Sequence, residues 1–424
     1  MRDEPNLGPL KNGGHVVVIG GGPGGTACAL RLKCLAAQMN RRISVTLVES
    51  KQFSGEHHYN QCAGVLSHPL PEMMVDKLGV PFPHHLARAL IQGYVLHSNH
   101  AALELTSQEE DSIALRRVQF DAYMLDQIQQ RQVRLVQARA TDLEFHAENV
   151  LVYTENSSFE ADVVVGAFGL DEGSGAMFSR LAGYRPPLSL SSVVTKYHPG
   201  PQGMAAFGTY IHAFLPAHPR IEFGAITPKG NHLTINIAGS SVDVNLMRTF
   251  LRSSQVRAAL PNMDHAGTYD PNDLRYFKGR FPRSTAQHYF GDRYVMVGDA
   301  AGLVRAFKGK GVTTAMLTGS RAAETIMQAG ISEQAFRGHY QPANQDITSD
   351  LPYGRLMRLM AIVLARYKLL DPVVRAASQD HDLRQALFDA VSASAPYRDV
   401  FGRSFRPGAV FAILGAMLNK NSNP

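Results

Sequence analysis

Two glycine clusters and a pair of acidic residues frame the chemistry this chain can do. The first cluster lies in HVVVIGGGPGGTACALRLKCLAAQ, residues 15–38. The apolar run from His15 to Ile19 predicts a short strand, and Ala27, Leu30, Cys34 and Leu35 follow at helical spacing. Between them Gly20, Gly22 and Gly25 form G-x-G-x-x-G, with Pro23 and Gly24 entering the helix. The first glycine permits a tight turn, the second lets backbone approach a pyrophosphate, and the third lets helix and strand pack closely. The helix start then offers unpaired N–H groups and a positive dipole end to phosphate oxygens. The spacing alone is weak evidence, but a strand before it and a helix after it supply the context it needs. ISVTLVES, 43–50, predicts a second strand with Glu49 at its C-terminal end, placed to accept hydrogen bonds from ribose hydroxyls. This combination points to a dinucleotide, FAD or NAD.

The second cluster lies near residue 300. YVMVGDA predicts a strand ending in Gly298 and Asp299, where the carboxylate is placed to meet a ribityl or phosphate-side hydroxyl. The stretch RAFKGKGV, 305–312, then sets Gly309, Lys310 and Gly311 before a helix predicted from about Val312 to Met327.

The fingerprint and the G-D box together resemble the flavoprotein monooxygenase, or para-hydroxybenzoate hydroxylase-like, superfamily, and within it most of all the geranylgeranyl reductase family. LRRVQFDAYML, 115–125, is similar to that family's R-x-x-F-D, with Arg117, Phe120 and Asp121. Asp121 reads as a helix-start residue and Arg117 as a side chain approaching the cofactor. The resemblance implies FAD bound in extended form with the flavin ring at the second helix. Gly309 and Gly311 would then bring backbone N–H groups to the flavin's pyrimidine edge, and the helix starting at Val312 would aim its positive end at the same place. Lys310 has two readings: facing the ring it favours the anionic reduced flavin, and facing solvent it is a surface cation. GEHHYNQCAGVL, 55–66, lies where the family often has a cysteine near the flavin, so Cys62, His58 and Tyr59 are the candidate proton donors. Residues 207–239 resemble the family's substrate segment, with Tyr210, Phe214 and Pro216 standing in an aromatic motif that lacks its Trp. Phe168 stands where the family carries an acid, which leaves the electron donor open between NAD(P)H and ferredoxin.

These motifs must be positioned by an α/β fold. The reading is a Rossmann-like FAD-binding domain (1–75, 116–175 and 283–340) with an interleaved antiparallel substrate-binding sheet (76–115 and 176–282) and a C-terminal helical region (341–424). GYVLHSN, ALELTS, RIEFGAI and HLTINIAG supply the alternating strands of that sheet. With 424 residues, 45% of them hydrophobic, the chain can bury a full core. No dense basic block interleaved with aromatics suggests nucleic acid, and the three cysteines have neither zinc nor disulfide spacing, which fits a reduced, cytoplasmic compartment. No metal site is expected. In LPYGRLMRLMAIVLARYKLL, 351–370, Arg355, Arg358 and Arg366 share a helical face, read either as the basic face of a membrane-surface helix or as a solvated face.

The expected activity is FAD-dependent oxidoreduction. Through the resemblance, this is the reduction of carbon–carbon double bonds in a prenyl or other lipid-like substrate by flavin hydride transfer. The alternative is a flavin-dependent monooxygenase, a hydroxylase before a halogenase, acting through a flavin hydroperoxide. The expected partner is an apolar small molecule, with peripheral membrane contact admitted.

Overall fold

A computed structural model describes residues 7–53, 62–106, 112–261, 270–304 and 310–418. The chain opens on the strand His15–Ile19, in which Val16 to Ile19 are buried on both faces. A strand covered on both sides belongs inside a parallel sheet. It pairs in parallel with Ser44–Val48 (Val16 opposite Val45) and with Val163–Gly166 (Val16 opposite Val163). The six-stranded sheet runs Phe290–Gly291, Tyr294–Met296, Val163–Gly166, His15–Ile19, Ser44–Val48, Arg134–Val136. Only the outer hairpin at 290–296 is antiparallel.

Two helices from distant parts of the chain, Pro23–Gln38 and Gly311–Gln328, lie side by side against this sheet. Their approach depends on glycine. A Cβ on Gly319 would fall 2.2 Å from the carbonyl oxygen of Gly24, and one on Gly25 would fall 1.9 Å from that of Gly20. No side chain larger than hydrogen fits either place.

The second sheet has seven strands, in the order Tyr276–Pro282, Ser189–Tyr197, His232–Gly239, Phe223–Lys229, Tyr210–Phe214, Gly93–His97, Ala102–Thr106. It is antiparallel except where Tyr210–Phe214 meets Gly93–His97. Alternation divides its faces. Val193, Ile226, Ile235 and Ile237 point to the back, where Leu246, Met247 and Phe250 of helix Val244–Arg252 cover them. At the far end, Leu96, Leu103 and Leu105 pack on Val374, Leu383 and Phe388 of the C-terminal helices Leu370–Gln379 and His381–Ser392. The rest of the front face looks across a cavity toward the first sheet.

Arg358 does not join the exposed face on which the sequence set it. It pairs with Glu222 (Nη2 to Oε1, 2.6 Å), both side chains nearly buried, and so ties helix Leu351–Arg366 to the seven-stranded sheet. The face left outward carries Leu356, Leu359 and Val363 with Arg355 and Arg366. No helix among the described residues is long and apolar enough to cross a membrane.

Candidate functional site

One large cavity, about 1810 Å³, lies between the two sheets. Its nucleotide end is built from the first sheet's carboxyl edge. Gly20, at φ +111°, turns the chain off the first strand in a conformation only glycine adopts readily. Gly22, Pro23 and Gly24 line the cavity at the start of helix Pro23–Gln38, and no side chain caps that helix. Its first N–H groups therefore face the cavity. Glu49 lines it too, but its oxygens are already engaged: Oε2 accepts from Gly21 N and Oε1 from Lys51 N, both at 2.7 Å. The carboxylate thus braces the glycine turn, and its remaining lone pairs are what a ribose hydroxyl would meet.

The second helix start converges on the same space. Lys310, Gly311 and Val312 line the cavity, and Gly311–Gln328 has no side-chain cap at its N-terminus. Lys310 Nζ donates to the carbonyl of His68 at 2.7 Å. The ammonium thus lies along the segment that follows Cys62 rather than ending in open solvent. Gly298 N is held by Thr318 Oγ1 at 2.9 Å, which fixes Asp299 at the cavity wall. Burial pushes the Asp299 carboxyl up to about 6, against the pull of Arg117.

Asp121 is not a helix-start residue. The helix Arg117–Gln130 begins four residues earlier, and buried Asp121 holds Arg117 across one turn (2.9 Å). Burial works against the Arg117 charge, but Asp121 first, then Cys62 and Asp299, raise its pKa above the ordinary arginine value. Its Nε is buried with no hydrogen-bond partner, while the side chain lines the cavity. An orphaned guanidinium N–H beside two uncapped helix starts is what an anionic cofactor linkage would satisfy. Phe168 also lines the cavity and stacks on Phe178, with ring centroids 5.5 Å apart.

Cys62 is a free, exposed thiol on the cavity wall, and its carbonyl accepts from Lys229 Nζ at 2.8 Å. His58, Tyr59 and Gly309 lie outside the described residues. The remaining sequence candidates (Gly20, Gly22, Pro23, Gly24, Glu49, Cys62, Arg117, Gly298, Asp299, Lys310, Gly311 and Val312) all line this cavity, while Gly25 packs against the Gly20 carbonyl instead. The sequence reading missed the opposite wall, where Lys196, His198, Thr227 and Asn236 project from the seven-stranded sheet. The available signal was the period-two pattern of polar residues in SSVVTKYH and HLTINIAG.

Residues 17–171 match the FAD-NAD(P)-binding family model. The chain is 26% identical over 341 residues to a digeranylgeranylglycerophospholipid reductase of Methanothrix thermoacetophila, covering 74% of this chain and 78% of that one. Among solved structures it is similar to a geranylgeranyl bacteriochlorophyll reductase-like protein of Thermoplasma acidophilum (TM-score 0.64, 16% identity, 97% of each chain). It is also similar to the flavin-dependent brominase Bmp2 (TM-score 0.64, 16% identity, 96% of this chain and 100% of that one). Together these findings support an FAD-dependent oxidoreductase with an FAD/NAD(P)-binding domain. In this flavoprotein the bare Gly20–Gly25 turn and the uncapped helix behind it fit a pyrophosphate. Arg117, Asp299 and the Gly311 helix start fit the flavin-side half of FAD.

Proposed function

We propose that this flavoprotein reduces carbon–carbon double bonds of a prenyl or other lipid-like substrate. The observation that carries the reading is the continuity of the cavity. The nucleotide end opens directly onto a wall of Val194, Ile211, Phe223, Ala225 and Phe277, closed at one side by Tyr94 and Val391. An apolar wall excludes water and orients an alkene that has no polar handle of its own. The relative's name, a reductase of a geranylgeranyl lipid, supports the same substrate class.

FAD held at this end would supply hydride chemistry to one alkene carbon, and the protein must then place a proton donor at the other. Cys62 is the described thiol on the cavity wall and the candidate to hold that proton. Lys229, through the Cys62 carbonyl, fixes the segment that presents it. The Gly311 helix start, with Lys310 beside it, favours negative charge where the reduced cofactor would carry it.

The test is anaerobic reduction of the FAD-loaded protein by NADH, NADPH or reduced ferredoxin, followed by addition of a polyprenyl lipid. Reoxidation that requires the lipid and yields a product two hydrogens heavier per double bond supports the reading. Reoxidation that requires oxygen and yields an oxygenated product makes the protein a monooxygenase instead.

A further inference from the structure

The cavity stops abruptly on one side, and the stop is built from both sheet and helix. On the seven-stranded sheet Tyr94 stands between Ile211 on one neighbouring strand and Leu105 on the other. Ile211 and Tyr94 line the cavity, whereas Leu105 is fully buried in the core under the C-terminal helices. The next row, formed by Ala213, Leu96 and Leu103, lies wholly within that core. Tyr94 therefore marks the line at which an open apolar wall becomes a packed interior.

The helix His381–Ser392 closes the same line from the facing side. Its Phe388 meets the Tyr94 ring edge-on, with centroids 5.9 Å apart and planes at 73°. Aromatic rings attract one another in that arrangement. Three residues further on, Val391, Ser392 and Ala393 line the cavity. This end of the helix is held firmly. Buried Asp389 accepts from Ser394 Oγ at 2.7 Å and pairs with Arg403 at 2.5 Å, which fixes the turn that follows. Burial pushes the Tyr94 hydroxyl up to about 12, so the wall is uncharged near neutral pH. A close-packed interior behind such a wall resists being pushed aside.

Resting on the reading that an apolar chain occupies this cavity, we propose that Tyr94, backed by Phe388 and Val391, sets the length of chain the site accepts. A chain laid along Ala225 and Ile211 gains affinity with each methylene it buries, until its end meets the Tyr94 ring. Carbons beyond that point stay in water or fold back on the chain, and the gain stops. The side chains behind Tyr94 are themselves apolar, so a smaller residue at 94 replaces the stop with an extension of the same chemistry. These residues are determinants of length, distinct from the groups that carry the reaction.

The experiment measures binding, not turnover. Geraniol, farnesol, geranylgeraniol and geranylfarnesol are titrated into FAD-loaded protein and followed by calorimetry. In the parent, affinity should climb with length and then break at one member of the series. Tyr94→Ala should move the break to a longer member, bound at least about tenfold tighter than by the parent. Val391→Phe adds bulk on the facing side. It should move the break to a shorter member and weaken the longer ones by a similar factor, and it decides the matter if Tyr94→Ala does not fold. Affinity that rises through the series without a break, or a break that the variants leave in place, overturns the proposal. A break that moves as expected in a protein that saturates no alkene overturns the reductase reading and leaves the length limit standing.

Discussion

Asp299 shows what a carboxyl buried at the cavity wall costs the fold. The carboxyl is buried at the cavity wall, and its folded-state pKa of about 6 lies above the ordinary 3.8. A raised carboxyl contributes most to stability below the unfolded value, and that contribution is lost as pH rises through the folded one. In the flavin-free protein the charged carboxylate is therefore a liability above pH 6. At about 1.4 kcal/mol per pKa unit the liability is roughly 3 kcal/mol. Asp299→Asn should leave the melting temperature unchanged near pH 4 and raise it progressively toward pH 7. The same variant should hold FAD less tightly, because the amide replaces a charged acceptor with a weaker one. A melting temperature that falls at pH 7, or FAD retention equal to that of the parent, would remove Asp299 from the site. Arg117 makes the complementary case: its pairing with Asp121 one turn away keeps a charge stable in a place that burial disfavours.

At the scale of elements, the Arg358–Glu222 pair decides how the C-terminal helices attach. Both side chains are nearly out of solvent, at 16% and 10% exposed. Breaking one partner of such a pair leaves the other charge stranded, at about 3–5 kcal/mol. Arg358→Met should therefore destabilise the protein by roughly 3 kcal/mol in denaturant unfolding. Adding Glu222→Leu should restore most of the loss, because an apolar pair replaces an ionic one of similar volume. A double variant no more stable than the single one would contradict this account. The pair also shows where sequence reading stops. The fingerprint, the G-D turn and the two helix starts were legible because each is local, a strand, a turn and a helix within 25 residues. Arg358 and Glu222 are 136 residues apart, and nothing in the spacing around Arg358 distinguishes it from Arg355 or Arg366. The polar wall of Lys196, Thr227 and Asn236 was half legible: period-two alternation tells which residues share a face but not which strands become neighbours. Asp121 was misread because an acid ahead of an apolar run suggests a cap, whereas Arg116 and Arg117 had already begun the helix.

At the scale of the molecule, exposed apolar side chains gather at the C-terminal helices. Leu359 is 58% exposed, and on helix Pro407–Leu418 Phe411 is 73% and Leu418 87% exposed. Arg355, Arg366 and Lys368 are outward as well, and on that ground we propose, separately from the reaction, peripheral contact of these helices with anionic lipid. Flotation with vesicles rich in phosphatidylglycerol should carry the protein upward, and Leu359→Glu combined with Phe411→Glu should abolish it. A protein that stays at the bottom of the gradient with such vesicles would end the membrane reading.

The contact of Gly24 with Gly319 has a consequence in time. The two helix starts that line the nucleotide end come from distant parts of the translated chain, and their close packing needs both. Until the second helix is made, the N-terminal helix can pack only on earlier elements such as Leu70–Leu78 and Arg117–Gln130. The nucleotide end of the cavity is therefore complete only once the helix Gly311–Gln328, translated after every strand of the seven-stranded sheet, has packed on the N-terminal one.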